Sequence, residues 1–380
     1  MNHQDNVSIK KILILGGTGL AGSTLARRLL EESQADIVLA GRNIEKARYS
    51  ANNLNQAFAG RVSARQADAA NLASLNQAFS NIDLVVVAAS TLEHTAQVAE
   101  AALDAGCDYY DLMMAIPDKL SALEKLQKRM ESEGRCFITE GGFFPGLPAA
   151  MVRMLAPKFK ELQSANCFGL MLEDWRSFNF SGPTMDEMAM ALKEVRMEAL
   201  QEGEWGKVSM LNSKKKYDFG EFGKFSCSVQ YYEEIRRLKK MFPSLKQAGV
   251  YSFGTNWFCE NIFFPLSFIA LKIAPKLTMK HFGSAFEWAV KKFQKSPYTT
   301  VIELDAKGVG LNNEPVHYRL RVNHEDGYLI TGACNLSIVL QWLDGTIAKP
   351  GLHLQALVTD PKRLFDDIKY AGALVEIKQV

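Results

Sequence analysis

Three glycines spaced three residues apart stand in the run Gly16-Gly17-Thr18-Gly19-Leu20-Ala21-Gly22, directly after the apolar stretch from Lys11 to Leu15. Glycine carries no side chain. Such a run can therefore turn tightly, bring backbone N–H groups against an anion, and let the following helix close on the strand before it. A helix opening there also aims unpaired N–H groups and the positive end of its dipole at the same point. That chemistry suits the pyrophosphate of a dinucleotide. The candidate contacts are Gly16, Thr18, Gly19, Leu20, Ala21 and Gly22.

The next apolar stretch ends in Ala40-Gly41-Arg42-Asn43. A carboxylate at that place would hold both ribose hydroxyls of NAD, and none is present. Arg42 instead offers a planar cationic fork suited to a 2′-phosphate, so NADP(H) is the expected cofactor. Asp68 could meet the adenine edge or cap the helix that follows it. Ala88, Ala89 and Ser90 are small residues where a cofactor would pass close to backbone.

Hydride transfer to or from a bound cofactor also needs a proton donor or acceptor beside the reacting carbon. Tyr110, Asp111 and Glu140 follow late strands and are the catalytic candidates. Tyr109 and Tyr110 point to opposite faces of an extended segment, so at most one faces the cofactor and Tyr110 can equally be core. Asp111 can equally cap the segment after it. Arg176 and Arg319 could hold a substrate carboxylate or form structural ion pairs, and His324 reads as a turn residue. No metal-ligand spacing, phosphate-binding P-loop or nucleophile elbow is found.

These residues need a frame. Short apolar runs alternate with amphipathic helical stretches from Lys11 to Thr139: strands at Lys11–Leu15, Ile37–Ala40, Val62–Asp68, Leu84–Ala89, Asp108–Asp111 and Cys136–Thr139. Helices are expected at Leu20–Glu32, Ile44–Phe58, Ser74–Phe79, Glu93–Ala105 and Asp118–Glu133. Repeated βαβ units with right-handed crossovers give an α/β, Rossmann-type doubly wound parallel sheet. After Gly146-Leu147-Pro148 the pattern changes. Strands at Ala165–Leu172, Lys224–Tyr232, Thr299–Asp305 and His317–Asn323, with helices at Met185–Gln201 and Phe282–Phe293, predict a second α+β domain with a largely antiparallel sheet. The expected division is 1–148, 149–325 for substrate and dimer contacts, and a 326–380 segment packing back toward the first domain. That last segment holds helices at Thr331–Leu343 and Pro361–Tyr370.

The chain has 380 residues and a net charge of +2, with no long basic run, which argues against a nucleic-acid partner. Lys214-Lys215-Lys216 reads as a solvated hairpin or loop. Six scattered cysteines without a Cys-x-x-Cys pair suit a reducing compartment, and no secretory signal is visible, so a cytoplasmic location is expected. The apolar stretch from Ile262 to Ala274 is too short to span a bilayer and is broken by Pro265. It is read as a buried or interface helix, with peripheral membrane contact as the sharper alternative.

The glycine turn resembles that of short-chain dehydrogenases, whose chemistry needs a Tyr-x-x-x-Lys pair. None of the eleven tyrosines has lysine four positions later. The Gly-Gly-Thr-Gly loop, the Ala40-Gly41-Arg42 ending and the segment Ala101-x-x-x-Ala105-Gly106-x-x-Tyr109-x-Asp111 resemble the saccharopine dehydrogenase-like proteins. Gly141 to Pro148, and Asp326-Gly327-Tyr328 followed by Pro350-Gly351, are similar to that family's link and closing segments. From Glu173 to Tyr298 little matches. The resemblance implies an NADP(H)-dependent oxidoreductase, a homodimer, moving a hydride to or from an imine or carbonyl of a small molecule held between two domains. A protein that binds NADP(H) as a sensor without turnover is the alternative.

Overall fold

The computed structural model describes residues 9–177, 196–209 and 212–380, and the chain divides into two compact units. The first comprises residues up to Gly142 together with Cys334–Asp360; the second comprises Phe143–Ala333 together with Pro361–Val380. The C-terminal stretch is thus shared between them.

In the first unit, strands β1 (Lys11–Leu15), β2 (Asp36–Gly41), β3 (Val62–Gln66), β4 (Leu84–Val87), β5 (Asp108–Asp111) and β6 (Cys136–Thr139) form a parallel sheet. The strand Gly351–Leu354 completes it beside β6, in the order 351–354, β6, β5, β4, β1, β2, β3. Helices α1 (Leu20–Glu32), α2 (Ile44–Asn55), α3 (Leu72–Phe79) and α4 (Thr95–Asp104) make the first crossovers. Both faces are covered. Ile12 and Ile14 pack with Leu25 and Leu29 of α1 and with Ile338 and Val339, while Leu13 and Leu15 pack with Phe79, Val98 and Leu103. A strand buried on both sides must be apolar at consecutive positions, which is why these runs lack alternation. The expected helix from Asp118 to Glu133 is instead two, Pro117–Glu124 and Gln127–Ser132.

The second unit holds a nine-stranded mixed sheet. Its strands are β7 (Phe159–Leu172), β8 (Glu198–Gln201), β9 (Glu204–Lys207), β10 (Lys214–Asp218), β11 (Lys224–Gln230), β12 (Gln247–Phe253), β13 (Thr299–Gly310), β14 (Pro315–His324) and Leu374–Gln379. All pairs are antiparallel except β12 with β7. Lys214, Lys215 and Lys216 lie in the β10–β11 hairpin. Of the expected helix Met185–Gln201, residues 185–195 lie outside the described residues, and Glu198–Gln201 is strand β8. The helix Pro148–Leu155 was not expected from the pattern. It packs on β13 and is held at its N-terminus by Glu234, whose carboxylate accepts from Gly146 N at 2.9 Å and Ala149 N at 3.2 Å.

Arg176 and Arg319 are structural in this fold. Arg319 pairs with Asp305 at 3.1 Å beside the His317–Asp305 contact at 2.8 Å, and Arg176 Nε donates to the Lys291 carbonyl. His324, expected in a turn, is instead the last residue of β14, paired with Thr300, and its Nδ1 accepts from Asp326 N at 2.9 Å.

Candidate functional site

In the first unit β1 and β4 are neighbours, yet β2 and β3 continue to one side and β5 and β6 to the other. The chain leaves their carboxyl ends in opposite directions, and the crevice left there is where open parallel sheets take ligands. The glycine loop fills the β1 side of that crevice. Gly16 has φ of +88°, and a Cβ there would sit 2.8–2.9 Å from Ala89 Cβ and the Ala88 carbonyl group. Its N–H donates to the Ala40 carbonyl at 2.8 Å and its own carbonyl accepts from Gly19 N at 2.9 Å. A Cβ on Gly22 would overlap the Gly16 carbonyl oxygen, so side-chain volume at that position would drive α1 off the turn.

Helix α1 follows Gly19, which as glycine offers no side-chain cap, and has no acid in its first turn. Its first N–H groups have no intrahelical acceptors. Gly19, Leu20 and Ala21 are exposed around them, Leu20 to 64%, so the positive end of the helix faces open space. Across the crevice, Ala88 and Ala89 are half-buried and present only methyl groups, with Ser90 exposed next to them.

At the end of β2, Arg42 is exposed, and among the described residues its guanidinium makes no ion pair; its carbonyl accepts from Gln66 Nε2. Asn43 caps α2 through Lys46 N at 3.0 Å. Asp68 closes a turn on Ala70 N at 3.1 Å, and the cap of α3 is Asn71. The loop glycines, Arg42, Asp68 and Ala88–Ser90 all follow the carboxyl ends of β1 to β4. These features fit a phosphorylated dinucleotide: an uncapped helix end for the pyrophosphate, small walls, and an unpaired guanidinium within the same edge.

Comparison with known proteins agrees with this geometry. Residues 12–136 match the family described as saccharopine dehydrogenase NADP binding domain. An apo histidine-tagged saccharopine dehydrogenase (L-Glu forming) from Saccharomyces cerevisiae shares the fold. It is 15% identical, with a TM-score of 0.69 over 98% of this chain and 100% of that one. Over residues 12–136 the chain is thus similar to that NADP-binding domain, and over nearly its whole length it shares the fold of saccharopine dehydrogenase. An oxidoreductase domain protein from Kribbella flavida is 14% identical, covering 82% of this chain and 76% of that one, with a TM-score of 0.41. A short-chain dehydrogenase/reductase from Veillonella parvula in complex with NADP is 24% identical over 28% of this chain and 49% of that one, at a TM-score of 0.25. No curated protein matches the sequence.

The three catalytic candidates occupy different surroundings. Asp111 is fully buried: Lys119 Nζ lies 2.5 Å from one oxygen, which also accepts from Met113 N, and the Thr139 hydroxyl donates to the other at 2.9 Å. Both oxygens are committed. Tyr110 is 1% exposed, its hydroxyl 2.6 Å from Gln355 Oε1 and 2.7 Å from Asn335 Oδ1. Burial, helped by nearby Cys334 and Asp111, pushes its phenol well above the usual value, so it holds its proton at neutral pH. Glu140 follows β6 at the carboxyl edge with φ of +66°, a conformation that costs a non-glycine residue about 1 kcal/mol or more. Gly141 follows it, where a Cβ would overlap the Tyr110 hydroxyl.

Lys119, Thr139, Asn335 and Gln355 were not singled out from sequence. Gln355 accepts from Gly142 N at 3.2 Å and donates to Gly142 O at 2.7 Å, fixing the turn after Glu140. Asparagine and glutamine more than 200 residues from their partners carry no local signal.

Proposed function

We propose that this protein is an NADP(H)-dependent oxidoreductase that moves a hydride to or from a small carbonyl or imine compound. The observation that carries the reading is the β1–β4 crevice, with its uncapped α1 terminus and tight approach of Gly16 to Ala88 and Ala89. The cofactor, when bound, would supply or accept the hydride. The chain's own residues bind and orient it. The N–H groups of Leu20 and Ala21 hold the pyrophosphate, and Arg42 receives the 2′-phosphate as a charge-assisted pair.

Among the catalytic candidates, Glu140 is assigned proton handling, because its unusual backbone conformation places it at the carboxyl edge beside a rigid glycine turn. Asp111, held by Lys119 and Thr139, keeps β5 and β6 in place as a positioning residue. Tyr110, tied to Gln355, is assigned the same kind of role. The reading also includes a homodimer and a cytoplasmic setting, which six buried free thiols suit.

Titration of the full chain with NADPH and NADH tests it. NADPH is expected to bind about tenfold or more tightly than NADH, and Arg42→Ala to erase most of that difference, since a hydrogen bond to a charged group contributes about 1.5–3 kcal/mol. Equal affinity of the wild type for both would overturn the cofactor assignment. Turnover of NADPH with carbonyl and imine compounds separates an enzyme from a sensor.

A further inference from the structure

We infer that the helical segment from Trp257 to Phe293 in the second unit is a docking surface for an anionic lipid bilayer. The segment consists of a π-helical turn (Cys259–Phe263), a helix (Phe264–Ile273) and, after a break at Ala274, a second helix (Pro275–Phe293). One side is accounted for. Phe263, Phe264 and Phe268 pack with Phe282 and Phe286, whose rings lie 5.8 Å apart.

The other side is apolar and open. Among the described residues Leu266, Ile269, Ile273 and Leu277 are each more than half exposed, with Ile273 at 77%, and Trp257 and Trp288 flank them at 67% and 52%. A ten-residue helix whose only polar residues are Ser267 and Lys272 normally lies inside a core or in lipid, and here its outward side meets no described protein. No helix among the described residues is long and apolar enough to cross a membrane, so the geometry is that of a segment lying in the interface.

Charge selects the occupant. From Trp257 to Lys295 the sequence carries six lysines and two glutamates in a chain whose net charge is +2. Both glutamates are engaged: Glu260 accepts from Gly254 N at 3.0 Å, and Glu287 pairs with Lys291 at 2.7 Å. Lys272, Lys276 and Lys280 are exposed and recur every four residues, one position before Ile273, Leu277 and His281. A shallow surface depression lined by Arg176, Ser284, Glu287, Trp288, Lys291 and Lys292, in which Glu287 is paired with Lys291, adds donors of the kind a phosphate headgroup takes. A second copy meeting this face across a two-fold axis would set lysine against lysine, whereas anionic lipid supplies the opposite sign, and Trp at the border suits the headgroup level.

The test is co-sedimentation of the full chain with vesicles of phosphatidylcholine alone and of phosphatidylcholine with phosphatidylglycerol at 3:1. Binding is expected to the anionic vesicles and at least about tenfold less to the neutral ones, given that each lysine near such a surface adds about fivefold. Changing Leu266, Ile269 and Ile273 together to Ser should abolish binding, and Lys272→Glu with Lys276→Glu should weaken it about tenfold or more. All five side chains are exposed, so circular dichroism and NADPH affinity should stay at wild-type levels, keeping this result separate from the cofactor assignment. Wild-type protein that stays in the supernatant with anionic vesicles at low salt overturns the proposal. So does a wild-type dimer that the serine variant converts to monomer while vesicle binding is nil, which would assign the face to a second copy.

Discussion

Gly22 and Gly16 illustrate how one missing methyl group can decide the packing of a turn against a helix. Any side chain at Gly22 meets the Gly16 carbonyl, and the turn and α1 cannot separate without losing the Gly19 N to Gly16 O bond. Gly22→Ala is therefore expected to lower stability by about 1–3 kcal/mol and to lose NADPH binding, read by denaturant unfolding and fluorescence titration. Unchanged affinity would mean the loop is only a packing turn. The neighbouring assignments follow the same reasoning. Arg42 stood out in the sequence because a carboxylate was missing where NAD would need one. Asp111 and Tyr110 were visible as residue types, but their commitments to Lys119, Thr139, Gln355 and Asn335 were not.

At the level of elements, strands buried on both faces could be read nearly to the residue, because a parallel sheet demands consecutive apolar residues. Helix α1 and the helix Pro361–Tyr370 fall where the sequence places them. Helix Pro148–Leu155 was missed, since it follows a glycine-rich stretch and is held by a carboxylate from far along the chain. That carboxylate, Glu234, is pushed up to about 7 by burial, against a smaller downward pull from the Ala149 and Gly146 N–H groups. A carboxyl that keeps its proton more tightly when folded contributes stability below the unfolded value of 4.5, and that contribution is lost as pH rises through about 7. Wild-type Tm should thus fall between pH 5 and 8 relative to Glu234→Gln, which stays neutral throughout. Parallel pH profiles for the two proteins would show that Glu234 ionises no differently in the fold.

For the whole molecule, two units with separate cores predict that the proposed cofactor binding is a local event in the first of them. NADPH at about 100 times its Kd should stabilise the bound state by about 2.7 kcal/mol, or about 100-fold in opening equilibrium. Hydrogen exchange should accordingly slow most at the amides of β1, β4 and α1, which border the crevice. Greater slowing in β10 and β11 of the second unit than in β1 would place the cofactor elsewhere.

The sequence by itself determined the nucleotide-binding half: its strand order in the chain, the turn, and the basic residue in place of an acidic one. Those features are local, written in the periodicity of a few residues and in the absence of side chains at Gly16 and Gly22. Tertiary structure decided the rest. It drew Gly351–Leu354 into the first sheet and Leu374–Gln379 into the second, and it brought Gln355 to Tyr110 across more than 200 residues. It also left one side of Phe264–Ile273 without a partner. Pairings between distant residues depend on which surfaces remain after the local elements form, and no short stretch of sequence carries that information.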